Sequence, residues 1–147
     1  MSERATGMSR VKRVLLFVMA PLYVLAGVAH FVAPEAFERV VPPVFPRPRE
    51  LVYASGLAEI AFGLGVLHPE TREASAWGLV ALLVAVFPAN VYMAVDDEAV
   101  EGLPERFEPS DAALLARLPL QAVLVLWAWW YTRPTEDEAD ATGEASA

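Results

Sequence analysis

The sequence predicts an all-α protein: a four-helix transmembrane bundle, with a short interfacial helix or loop between helices 1 and 2. Of its 147 residues, 56% are hydrophobic, above the roughly 45 to 50% usual in soluble domains. The apolar residues gather into four blocks, 14–33, 51–67, 75–95 and 112–131, each near the ~20 residues that a bilayer crossing requires. Each block also carries a few strongly polar groups, and these fall at one depth when the four are laid antiparallel. A basic amino-terminal segment 1–13 precedes the membrane domain 14–131, and an acidic tail 132–147 follows it.

Composition removes several chemistries. With no cysteine, thiol exchange, thiolate nucleophiles, iron–sulfur ligation and cysteine-held zinc are excluded. The two histidines, His30 and His68, lie on different segments, which argues against a protein-held metal or haem. No intrinsic cofactor is therefore expected. A net charge of −8 argues against nucleic acid as a partner, and against anionic lipid everywhere except the amino terminus. An acidic exterior of this kind suits a host with high internal salt, where repulsion is screened.

Block 14–33 follows Arg4, Arg10, Lys12 and Arg13, a flank that reads as cytoplasmic. A secretory signal peptide cut at the small residues 27–29 is the other reading. The 20-residue apolar run exceeds the roughly 7 to 15 of a signal core and favours a first membrane helix. Near its end His30 shares a face with Tyr23, Ala26 and Gly27, where a histidine either packs between helices or joins a polar site. In the loop 34–50, Pro34 can open a short helical turn with Phe37, Val40 and Val41 on one side. The prolines at 42, 43, 46 and 48 then favour extended backbone. This loop is read either as a cap or lid over the bundle or as a stiff connector.

Block 51–67 carries Glu59 near its middle, costing roughly 2.5 to 3.5 kcal/mol at the centre of a membrane unless something receives it. Its helical neighbours Ser55, Gly56, Phe62 and Gly63 are mostly small, so its face packs against other helices and Glu59 points inward. His68 and Pro69 begin a turn to residue 74, and block 75–95 then contains Pro88, a kink site, beside Asn90. The loop 96–111 holds seven acids and Arg106 and is expected to be solvated, without the spacing of a calcium loop. Ser110 or Asp111 caps the last block, which contains Arg117 and Gln121 one helical turn apart and ends in Trp127, Trp129, Trp130 and Tyr131, an aromatic belt. The acidic tail is expected to be disordered.

Four crossings place both termini on one side, expected to be cytoplasmic, in a multi-pass protein of the cell membrane. His30, Glu59, Asn90, Arg117 and Gln121 then lie roughly 5 to 14 Å below the outer surface. Arg117 either pairs with Glu59 or snorkels to the interface. If it pairs, His30 and Asn90 complete a ligand pocket walled by Tyr53 and Tyr92.

The blocks GVAHFVAP at 27–34, SGLAEIAFGLGVL at 55–67, WGLVALLVAVFPANVYMA at 77–94 and RLPLQ at 117–121 resemble the DoxX family of small membrane proteins. The resemblance covers about residues 14 to 131. It implies a four-helix bundle of the DoxX/DoxD type and a redox-associated subunit of a respiratory or other membrane complex, with a bound quinone or lipid. Oligomers fit the same picture. Two further functions stand beside it: a lipid-modifying enzyme or carrier using Glu59 and His30 as proton donor and acceptor, and an accessory or assembly protein whose polar residues only fix packing.

Overall fold

The computed structural model describes residues 8–99, 101 and 110–133, and among these it is helical throughout, with no strand. The expected disorder of the tail from 134 onward and the bulk of the acidic loop, 102–109, lie outside the described residues.

Helix α1 spans Arg10–Val32 and starts four residues before the apolar block, because Ser9 caps it by accepting from the Lys12 amide at 3.2 Å. Ala33, turned out of helical geometry at φ −132° and ψ 54° ahead of Pro34, ends it. Pro34 opens α2, Pro34–Arg39, at the position where a missing N–H costs nothing. The short helix read from the loop is present. The next prolines form turns, with the Phe45 amide bonded to the Pro42 carbonyl at 3.0 Å. Arg47, at φ 56°, occupies the left-handed region and turns the chain into α3, Pro48–Gly65, whose first residue is again a proline.

Helix α3 stops two residues short of the predicted 67. The α3 carbonyls are met from outside: Thr71 Oγ1 donates to the Gly65 carbonyl at 2.8 Å and Arg72 Nε to the Val66 carbonyl at 2.9 Å. Helix α4, Pro69–Val95, begins six residues earlier than predicted. The turn expected over 68–74 is its first turn and a half, since Pro69 starts a helix better than it prevents one. After a 3₁₀ turn at Asp97–Ala99, α5 runs from Asp111 to Trp130, capped by Ser110, which accepts from the Ala113 amide at 3.3 Å.

The long helices pack in the order α1, α3, α4, α5, each against the next, and α2 lies on α3 and α1. The main core joins Leu16, Met19, Ala20 and Tyr23 of α1 to Val66, to Ala76, Leu79 and Leu83 of α4, and to Ala128 and Tyr131. A smaller cluster of Met93, Ala99 and Leu114, with Val40 and Tyr92 against it, lies at the α2 end. Outside these cores the apolar side chains face outward: Phe17, Leu25 and Val32 of α1, Val84 of α4 and Leu126 of α5 are all exposed. Such a surface needs an apolar surrounding. Three helices, α1, α4 and α5, are long and apolar enough to cross a membrane. Helix α3 runs beside them but holds Arg49, Glu50 and Glu59 in 18 residues, so composition sets it apart.

Candidate functional site

The seam between α1 and α3 is built on glycine. A Cβ on Gly27 would lie 2.5 Å from the Gly56 carbonyl oxygen and 2.7 Å from Ile60 Cγ1; one on Gly56 would lie 2.7 Å from His30 Cβ and 2.9 Å from the Gly27 carbonyl oxygen. The two backbones therefore touch, which only glycine permits. Gly63 continues the seam against Ala20 and Tyr23. This approach carries the last turn of α1 onto the middle of α3, and His30 Nδ1 comes within 3.2 Å of Glu59 Oε2, both side chains largely buried.

The proton on His30 is the next question. Nδ1 is also 2.8 Å from the Ala26 carbonyl, which can only accept, so Nδ1 carries the hydrogen and directs it there. When the ring is neutral, Nε2 is then an acceptor. Glu59 Oε2 gains an adjacent dipole but no aligned donor and is buried without a hydrogen-bond partner. The hydroxyl of Tyr23, two turns before His30 on the same face of α1, is likewise buried and without a partner. Above the pair, the Phe37 ring of α2 stacks on His30 with centroids 3.9 Å apart and planes 22° apart. Helix α2 is tied down by Arg49 Nε, which donates to Glu38 Oε1 at 2.5 Å. Arg39 Nη1 donates to the Glu101 carbonyl at 2.9 Å.

The remaining predicted residues form a second group. Asn90 Nδ2 of α4 donates to Gln121 Oε1 of α5, and Gln121 Nε2 donates to the Leu83 carbonyl, so both amides are engaged within the α4–α5 seam. Arg117 is mostly exposed and lays Nη1 3.8 Å from Met93 Sδ. Glu59 faces His30 and not Arg117, which corrects the pairing considered from the sequence. Tyr53 stacks on Phe31 at 5.3 Å with planes 5° apart, extending the α1–α3 seam, whereas Tyr92 packs on the Met93 cluster. Seven residues predicted to share one pocket thus divide between two seams. Depth along a helix was legible in the sequence. Rotation about it, which decides the neighbour, was not.

Two contributors escaped the sequence reading. Phe37 was placed on the apolar side of α2 without a target, and Tyr23 was seen only as a neighbour of His30. The seven-residue spacing from Tyr23 to His30 was the available signal, because two turns bring the side chains to one face.

Residues 19–132 match the family described as a domain of unknown function, DUF8561. The chain belongs to this family. The DUF8561 match covers α1 from Met19 onward, all of α3, α4 and α5, and both polar seams. It overturns the resemblance to DoxX, a family that the comparison does not return. The quoted blocks have a physical origin that many bundles share: glycine where backbones touch, proline at a helix start or inside a long helix, and a polar pair across a seam. Neither the curated proteins nor the solved structures contain a match to this DUF8561 chain.

Proposed function

We propose that this protein is an integral membrane protein of the cell membrane with four crossings, α3 being the fourth, and that its α1–α3 seam binds the polar head of an apolar, membrane-dissolved molecule. Both termini are assigned to the cytoplasmic side. The observation that carries the reading is the Glu59 carboxylate oxygen, buried beside His30 without a hydrogen-bond donor. A buried oxygen in that condition costs roughly 1 to 3 kcal/mol, so a retained one is a site for something that donates to it.

The chemistry narrows the head group. With Nδ1–H turned to Ala26, His30 Nε2 and the Glu59 carboxylate are both acceptors. The ligand must therefore donate, and an alcohol or phenol head on an apolar body fits best. Tyr23 supplies a hydroxyl that can donate to an oxygen on the same head. A proton passed from the head to Glu59 would leave an oxyanion on the head, to which the Tyr23 hydroxyl can donate.

A second reading, helix packing and assembly without a ligand, is favoured by the α4–α5 seam, where Asn90 is bonded to Gln121 and Gln121 to the Leu83 carbonyl, so the polar groups act as a clamp. Mass spectrometry of small molecules co-purifying in native-membrane nanodiscs separates the two. A hydroxyl-bearing apolar molecule retained by the parent and lost from Glu59→Leu, with Gln121→Leu still retaining it, is the expected result. Parent protein carrying nothing beyond bulk lipid would overturn the binding reading.

A further inference from the structure

One end of the bundle gathers basic side chains from three separate stretches of chain. Arg10, Lys12 and Arg13 lie at the start of α1, Arg72 in the first turn of α4, and Arg133 just beyond α5. Contacts bring them to the same end. Tyr131 Oη donates to the Lys12 carbonyl at 2.7 Å, and Lys12 Nζ stands 5.4 Å from the Tyr131 ring centroid and 5.9 Å from that of Trp130. The Arg133 guanidinium carbon lies 4.1 Å over the Trp129 ring. Arg72, bonded to the Val66 carbonyl, is near enough to Tyr131 to act electrostatically on its hydroxyl.

Among the described residues the two ends differ in sign. Of these residues, the carboxylates at this end are Glu70 and Glu73, both on α4. At the opposite end Glu35, Glu38, Glu50, Asp96, Asp97, Glu101 and Asp111 outnumber Arg39, Arg47 and Arg49. Tryptophan and tyrosine rings settle at the headgroup level of a bilayer, so the cations over them are held at the depth of lipid phosphates. A guanidinium over a ring still has N–H groups directed away from it for a second partner. Val11 and Val14, 63% and 57% exposed on the same turns of α1, offer an apolar strip for acyl chains directly beneath.

We propose that this belt binds the headgroup of an anionic phospholipid, with Arg10, Arg13 and Arg133 donating to its phosphate and Trp129, Trp130 and Tyr131 fixing its depth. The site depends on α1 and α5 crossing a membrane and is independent of the His30–Glu59 reading. A lipid is favoured over free phosphate because the cations adjoin exposed apolar surface rather than a closed polar nest.

The protein contains its own probe, since three of its four tryptophans lie at 127–130. The full-length chain is reconstituted in phosphatidylcholine vesicles doped with equal amounts of brominated phosphatidylglycerol or brominated phosphatidylcholine, and tryptophan quenching is compared. The anionic brominated lipid is expected to quench more strongly. Its relative affinity should fall roughly fivefold for each cation removed in Arg10→Gln and Arg133→Gln, while Arg47→Gln at the other end leaves it unchanged. Retained quenching by brominated phosphatidylcholine checks that these variants still insert. Equal quenching by the two lipids in the parent would overturn the site, as would equal loss in Arg47→Gln. Relief by inorganic phosphate beyond that of chloride at matched ionic strength would replace the lipid with a soluble anion. Quenching by neither lipid would remove the membrane placement and this site together.

Discussion

Gly56 is where one methyl group tests most. Its added Cβ would meet His30 Cβ at 2.7 Å and the Gly27 carbonyl oxygen at 2.9 Å, neither at the end of a flexible chain. Gly56→Ala should therefore part α1 from α3 and cost about 1 to 3 kcal/mol in reversible unfolding from detergent. An unchanged unfolding midpoint would mean that the seam is loose. Gln121→Leu acts on the other seam, taking the acceptor from Asn90 and the donor from the Leu83 carbonyl. Its expected cost is about 0.6 to 1.7 kcal/mol, the range for interhelical hydrogen bonds in membranes, read in the same unfolding assay. At this scale the sequence was informative about identity and poor about partnership. Glu59 had to be answered by something, and small residues beside it marked a packed face, yet His30 and Arg117 were both at reachable depths. The backbone contact at Gly27 and Gly56 decided for His30.

Helix α2 shows what a short element can be asked to do. Six residues cannot hold a helix alone, so its stability comes from Pro34 at its start, Phe37 on His30, and Glu38 on Arg49. Arg49→Gln should loosen α2. A spin label at Ala36→Cys, introduced into a chain that has no native cysteine, should become more mobile in that variant and stay unchanged with Arg47→Gln. Equal mobility in all three would show that Phe37 alone secures the helix. Where elements begin was legible where a capping residue announced it, as with Ser110 and Pro34. The early start of α4 was misread because Pro69 was taken as a stop, when the same fixed φ equally opens a helix.

At the level of the whole molecule, the apolar exterior is the main fact: around a small core that holds Leu16, Met19, Leu79 and Tyr131, large apolar side chains such as Phe17, Leu25, Trp77 and Leu126 face outward. This was readable from composition alone, because 56% hydrophobic residues cannot all be buried in 147. The number of crossings was harder to read, since α3 combines span length with three charged residues. Cysteines at Ser2 and Ser146 should both be labelled only from the cytoplasmic side in oriented vesicles, and one at Glu101 only from the other. Labelling of the two terminal positions from opposite sides would reduce the crossings to three.

The hydrogen bond from Tyr131 to Lys12 joins groups 119 positions apart. A chain made from its amino terminus can form the α1–α3 seam early, from segments that emerge close together in time. Leu16, Met19 and Ala20, however, share their core with Ala128 and Tyr131, which are synthesised more than a hundred residues later. Until those residues arrive, the first helix holds one finished side and one unfinished side within the membrane. A nascent chain halted before residue 128 would therefore expose the flank of α1 to any neighbouring helix, and an insertion chaperone would have its longest task there.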